Sequence, residues 1–429
     1  MFQLLRILCN PHIITTPIRV LKQLRAQGHT RLPAAVQNEL ESRGAIRHKP
    51  RALAFLRHWL AGERLTRHNG QWVINTFLPP FPGKSFDRMF ENLLSGRRLS
   101  PVSAFLGVTA RCTNKCWHCS AKSRRTGQLP TETWLEIIQQ LHDLGASIIG
   151  FTGGEPLIYP DLPHLITAAS RGGATPILFT SGAWLDLPQL KQLQRAGLWA
   201  VGISIDHPDP ATHDQIRGTV RSFEQAVAAL KAAHEAGLYT MIGTVATRQL
   251  VRENLLEPIW QLARRHRVQE LRIMEPMPCG KLADPDPDTL LEPEDIAKLR
   301  RFHIEKNRRG RGPKVCAFNQ IESPQFFGCG GGTQHLYIDS AGEVCPCDFT
   351  PLSFGNVTRE PLPVIWERMN DSMGNPRRDC FIQKHHRLIS QHAAGGYPLP
   401  PELSQQICAQ AGKEPLPDYF ALITGQSGQ

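Results

Sequence analysis

Three cysteines, Cys112, Cys116 and Cys119, stand within eight positions of the stretch "RCTNKCWHCS". Thiolates gathered this closely hold metal. A closed structural zinc site takes four ligands, usually from two C-x2-C pairs. Here the first gap is three residues and no fourth thiol is local. A cubane iron–sulfur cluster takes one thiolate at each of four irons, so three cysteines leave one iron for an outside ligand. Zinc with His118 as fourth donor is the other reading. His118 lies between Cys116 and Cys119, where its ring is poorly aimed at the same centre.

The elements around this loop indicate how it is positioned. From residue 103 to 276, short apolar runs alternate with helical stretches: "SAFLGVTA", then the helix "TETWLEIIQQLHDLG", then "SIIGFTGG", and so on through "VQELRIMEP". In the first helix Leu135, Ile138 and Leu141 share a face and Gly145 is the stop. Apolar strands alternating with helices predict a parallel sheet covered by helices. Six such repeats, the last helix being 292–309, fit an open doubly wound sheet or a partial barrel. Either puts chemistry in the loops after the C-terminal strand ends, where the three cysteines stand.

The C-x3-C-x2-C loop resembles the signature of the radical S-adenosylmethionine (SAM) superfamily. The resemblance implies a [4Fe–4S] cluster on Cys112, Cys116 and Cys119 whose fourth iron is chelated by SAM. Reductive cleavage of SAM then gives a 5′-deoxyadenosyl radical that abstracts hydrogen from an unactivated carbon. Other strand ends agree in order. "FTGGEP" (151–156) matches the family's glycine–glutamate motif, which implies that Gly153 and Gly154 give close backbone approach and that Glu155 accepts from the SAM amine. Ser204 and Asp206 of "GISID" match positions near the SAM ribose and carboxylate, with a helix N-cap as the plainer role for Asp206. Arg217 either contacts SAM or is structural. Glu275 is a polar candidate, and Cys279 reads as a passenger. The implied fold class is α/β: a partial (β/α)6 TIM-type barrel with an N-terminal helical extension and a small C-terminal α+β iron–sulfur domain.

Beyond the repeats, "CGGGTQHLYIDSAGEVCPC" (329–347) predicts a hairpin around residues 340–342. It resembles the start of the SPASM auxiliary-cluster domain, or its shorter twitch form. The full domain's second cysteine series is missing, since only Cys380 and Cys408 follow residue 347. The resemblance therefore implies one auxiliary [4Fe–4S] cluster on Cys329, Cys347, Cys380 and Cys316, with Cys345 competing for the fourth place. Glycines 330–332 offer backbone N–H groups to the cluster's sulfides. The divisions expected are 1–100, a basic N-terminal extension with a hairpin at Asn69-Gly70; 101–310, the radical SAM core; 311–385, the auxiliary domain, opening on a linker at 310–325; and 386–429, a weakly patterned tail.

Composition bounds the rest. The chain has 429 residues, 41% hydrophobic and 20% charged, and a net charge of +11. Residues 1–100 hold 16 Lys/Arg against 5 Asp/Glu, whereas the remainder is balanced at 33 of each. No apolar run approaches the roughly 18–20 residues of a membrane span, and a cytoplasmic location is expected. The basic, apolar-interleaved helix expected at 16–28 favours peripheral contact with anionic membrane, and with it a hydrophobic or lipid-linked small-molecule substrate. Packing on the enzyme core is the plainer role for that helix. Peptide maturation is the alternative activity. A low-potential donor such as flavodoxin or ferredoxin is implied as partner. No helix-turn-helix or aromatic ladder supports nucleic-acid binding. A non-catalytic iron–sulfur or zinc scaffold is the reading from another class.

Overall fold

The computed structural model describes residues 49–94, 100–122, 124, 126–393 and 396–424. The helix expected at 16–28 lies outside them. The chain's first described helix is α1 (Lys49–Leu60), followed by the hairpin β1 (Thr66–His68) and β2 (Gln71–Val73) and by α2 (Lys84–Leu94). Asn69 and Gly70 both take positive φ, 45° and 82°, the conformation that a two-residue primed turn demands.

A nine-stranded sheet organises the remainder. Six expected strands are present: β3 (Ser103–Gly107), β4 (Ile148–Thr152), β5 (Thr175–Thr180), β6 (Ala200–Ser204), β7 (Tyr239–Val245) and β8 (Glu270–Met274). They pair in parallel and in sequence order. Helices connect them: α3 (Thr131–Leu144), α4 (Leu162–Arg171), α5 (Leu187–Arg195), α6 (Pro210–Arg217), α7 (Ser222–Glu235), α8 (Arg248–Arg252) and α9 (Leu256–Arg265). Gly145 closes α3 in the left-handed conformation, as expected. The buried face of α3 is Trp134, Ile137, Ile138 and Leu141, while Leu135 is exposed. Burying each of those side chains contributes about 1.5–3 kcal/mol.

The partial barrel is extended at both edges. The segment 310–325, expected to be a linker, instead holds β9 (Lys314–Ala317) and the short α11 (Phe318–Ile321), after α10 (Pro293–Arg308). Strand β9 is parallel to β8, with Arg272 opposite Cys316. At the other edge the expected C-terminal hairpin forms from β10 (His335–Ile338) and β11 (Val344–Cys345). Its first strand pairs in parallel with β3, so the sheet runs unbroken past residue 310. Two helices follow the hairpin, α12 (Leu362–Met373) and α13 (Phe381–Ser390), and the tail beyond holds α14 (Pro401–Ala411) and α15 (Asp418–Thr424) where described.

The N-terminal hairpin closes the end of the barrel away from the cysteine loop. Val73 packs with Ile148, Ile177, Ala200, Tyr239 and Met241, and the Trp199 indole donates to Gln71 at 3.0 Å. Buried Lys314 donates to the carbonyls of Val73 and Ile74, both at 3.0 Å. The barrel therefore has a sealed floor and an open rim.

Candidate active site

The cysteine loop sits at that rim, and its backbone is clamped from three sides. From the β4 end, Gly154 N–H donates to Thr109 O at 2.6 Å and Glu155 N–H to Arg111 O at 2.7 Å. From the end of α6, Arg217 O accepts from Lys115 N–H at 2.9 Å. After β8, Lys281 N–H donates to Cys119 O at 3.1 Å, and its ammonium donates to the carbonyls of Lys115 and Cys116 at 3.0 and 2.7 Å. Glycine is required where the clamp is tightest. A Cβ on Gly154 would lie 2.1 Å from Arg111 O, and one on Gly280 would lie 2.2 Å from Cys119 O. Those distances exclude any side chain.

Inside the barrel lies a cavity of about 790 Å³. Cys112, Cys116 and Cys119 line it, with Gly153, Gly154, Glu155, Ser204 and Arg217. The structure thus brings eight of the nine barrel-rim candidates to one cavity wall, all but Asp206. The Glu155 carboxylate is hydrogen-bonded within the protein: Oε1 accepts from Thr180 Oγ1 at 2.6 Å and Leu157 N–H at 3.3 Å, and Oε2 from Ser181 N–H at 2.9 Å and Ser181 Oγ at 2.6 Å. These four donors tie the β4 end to the β5 end through the Glu155 carboxylate.

Asp206 departs from the expected N-cap role. It is buried beneath the rim and is absent from the cavity wall, and the N-cap of α6 is Asp209. Its Oδ1 accepts from Val245 N–H at 2.9 Å, while Oδ2 pairs with Arg217 Nη2 at 2.6 Å. Arg217 in turn reaches Cys116 Sγ with Nη1 at 3.7 Å. Burial pushes the Cys116 thiol up, and the guanidinium opposes that shift, because a neighbouring cation favours thiolate. Asp206 holds the arginine that faces the thiol.

His118 settles between these groups. Its Nε2 lies 3.5 Å from Asp206 Oδ2, and burial pulls its pKa down to about 4. The ring faces the Asp206–Arg217 pair. Among the described residues no three His, Cys, Asp or Glu donors already surround one metal point, so the fit rests on the donor set. Three thiols, an adjacent guanidinium and a histidine turned to a carboxylate fit a cubane better than a zinc ion completed by His118.

The C-terminal cysteines divide into two sets. Cys329 and Cys380 are hydrogen-bonded to each other, and the thiol of Cys380 pulls that of Cys329 down. The N–H groups of Phe381 and Gly331 also favour the Cys329 thiolate. Burial, and after it Asp348 and Cys329, raises the Cys347 thiol, and Cys347 in turn adds to the rise at Cys380, so the three sulfurs are near neighbours. The hydrogen-bonded bridge between Cys329 and Arg377 brings the start of α13, and so Cys380, to this group. Of the glycine run, Gly331 N–H is directed at the Cys329 sulfur, whereas Gly332 N–H is used by His335 O and Pro346 O.

Cys316 does not join them. Its place in β9 buries it near Glu270, Glu63, Arg272 and Lys314, on the barrel side. A strand residue paired in register cannot turn to another centre without breaking the sheet. Cys345 is also elsewhere, accepting from Arg124 Nη1 at 3.3 Å. Cys279 is buried and unpaired with any thiol by hydrogen bond.

Several wall residues were not singled out by spacing. Lys281 directly follows Gly280 beyond β8, and no spacing marks it. Arg124 and Arg272 line the cavity through contacts made far along the chain. Glu275, expected as a polar contact, does line it and accepts from Gln383 of α13 at 2.7 Å.

Comparison with known proteins agrees with this geometry. Residues 106–257 match the sequence model of the radical SAM superfamily, and residues 329–388 match that of the SPASM iron-sulfur cluster-binding domain. An AdoMet-dependent heme synthase from Nitratidesulfovibrio vulgaris is 27% identical over 285 residues, covering 61% of this chain and 77% of that protein. A PqqA peptide cyclase from Gluconobacter oxydans is 28% identical over 298 residues, covering 65% and 82%. Among solved structures, Streptococcus suis SuiB aligns with a TM-score of 0.52 at 16% identity over 85% of this chain and 80% of its own. Native anSMEcpe with bound AdoMet aligns at 0.52 and 19% identity, over 62% and 81%. These structures share the fold. The chain is a radical SAM enzyme with a C-terminal SPASM iron–sulfur domain.

Proposed function

We propose that Cys112, Cys116 and Cys119 hold the cluster that binds SAM, and that the cavity beneath them receives an apolar small molecule from which hydrogen is abstracted. When bound, the cluster and SAM together supply an electron and a 5′-deoxyadenosyl radical. The chain's own residues do the positioning. Gly153 and Gly154 bring bare backbone to the cavity wall, and Ser204 offers a hydroxyl there. Arg217, held by Asp206, offsets negative charge at Cys116. The sealed floor keeps bulk water from the inner end, which protects a radical from quenching.

The observation that carries this reading is the clamped three-thiol loop at the mouth of an aromatic-lined cavity. Phe105, Phe179, Phe318, Phe349 and Tyr337 face that space, and such walls fit an apolar body. Cys329, Cys347 and Cys380 are assigned to the auxiliary cluster. The core near 101–310 and the auxiliary segment 311–385 are read as functional divisions built on one sheet. Flavodoxin or ferredoxin is the proposed electron donor. Peripheral contact with anionic membrane rests on the basic first hundred residues, much of which lies outside the described residues. Among the described residues no helix is long and apolar enough to cross a membrane.

Similarity to the PqqA peptide cyclase supports a second reading, modification of a peptide. A small precursor-peptide gene beside this one would favour it. The test of the main reading is anaerobic reconstitution followed by assay for 5′-deoxyadenosine under reduction. Product from the wild type and none from Cys116→Ala is the expected result. Substantial product from that variant would remove the ligand assignment.

A further inference from the structure

We infer that Arg272, at the inner end of the cavity, anchors a carboxylate carried by the apolar substrate. The inference rests on reading the cavity as the substrate chamber. Arg272 lies in the middle of β8, is 4% exposed, and lines the cavity. Its guanidinium carbon lies 4.2 Å from the ring centre of Phe77, 5.0 Å from Phe318 and 5.2 Å from Phe179. Aromatic faces stabilise a guanidinium and leave its edge free to donate.

One of its donors is used: Nη1 donates to Thr76 Oγ1 at 3.2 Å. The Thr76 hydroxyl donates in turn to Glu270 Oε1, and Glu270 Oε2 accepts from the Tyr239 hydroxyl at 3.1 Å. Glu270 already has Lys314 beside it in the layer below. Among the described residues no acid forms an ion pair with Arg272. Burial raises the Glu322 and Glu275 carboxyls toward the neutral form; at Glu322 it outweighs the opposing charge of Arg272, with which no ion pair forms. The contrast with Arg217 is direct, since that arginine has Asp206 at 2.6 Å. A buried cation without a partner is costly unless a ligand supplies the counter-charge.

Space for that ligand is present. Gly243 of β7 stands opposite Arg272 in register and opposite Ser204 on its other side. A Cβ built on Gly243 meets nothing within 4 Å, so the room beside the guanidinium is open. The other cations on the wall, Lys115, Lys122, Arg124, Arg217 and Lys281, lie outside the barrel strands, on the connections at the rim and at the end of α6. With a single cation at the inner end, a monoanionic carboxylate is better matched than a dianionic phosphate.

The test compares biphenylcarboxylate with its neutral near-isostere biphenylcarboxamide by isothermal titration into the reconstituted full-length protein. The acid is expected to bind at least about tenfold more tightly than the amide. Arg272→Gln removes that advantage, Arg272→Lys keeps part of it, and Gly243→Leu weakens both ligands by filling their space. Iron content and thermal midpoint establish that each variant is folded. Equal binding of acid and amide to the wild type overturns the proposal even if no variant folds, as does an acid advantage that survives Arg272→Gln. Formation of 5′-deoxyadenosine is scored separately. An acid preference without SAM cleavage supports the anchor and removes the catalytic reading; SAM cleavage without the preference overturns the anchor alone.

Discussion

Cys112, Cys116 and Cys119 come from one loop whose backbone is clamped by Gly154, Arg217 and Lys281, whereas Cys329, Cys347 and Cys380 come from three separate segments. The first group is local: its spacing is fixed by the chain, and the protein's work is to hold the loop still. The second depends on the hairpin, the Cys329–Arg377 bridge and the start of α13 meeting in space. The rim loop should therefore fail through its own thiols and glycines, and the C-terminal group through any element that misplaces one sulfur.

The largest effect is expected from Cys116→Ala, which should abolish 5′-deoxyadenosine and lower iron from about eight atoms per chain to about four. Next, Cys380→Ala should also leave about four irons, but with the SAM-responsive signal intact. Iron analysis beside electron paramagnetic resonance separates the two variants. Asp206→Asn strands a buried arginine and should lower stability by about 3 kcal/mol, measured by urea unfolding of the reconstituted protein. Gly154→Ala pushes a methyl group into Arg111 O; SAM cleavage should fall about tenfold, as a barrier increase near 1.4 kcal/mol would give. The smallest effect is expected from Cys316→Ala, whose iron content should match the wild type. A loss of about four irons there would restore Cys316 as a ligand.

Local features were legible in the sequence. The Asn69-Gly70 turn, the Gly145 stop, the cysteine loop and the order of the strand-end motifs are each carried by a few adjacent residues, and the structure forms them. What was not legible depends on distant partners. The four-residue strand β9 is set by pairing with β8 rather than by its own pattern, and that pairing turns Cys316 away from the other thiols. Nothing in "FTGGEP" shows that Thr180 and Ser181, some 25 residues on, will occupy the Glu155 carboxylate. Arg272 reads as an odd charge in an apolar strand until Phe77, Phe179 and Phe318 are seen around it. Leu135 was expected on the buried face of α3 and is exposed, because helical spacing alone does not fix how far the buried stripe is rotated.

The most direct measurement uses the Cys380→Ala protein, in which the rim cluster is expected to be the one that remains. Its electron paramagnetic resonance spectrum is recorded after reduction without oxygen, with and without SAM. The account predicts a single [4Fe–4S]⁺ signal whose g values shift when SAM is added. A signal indifferent to SAM would contradict it.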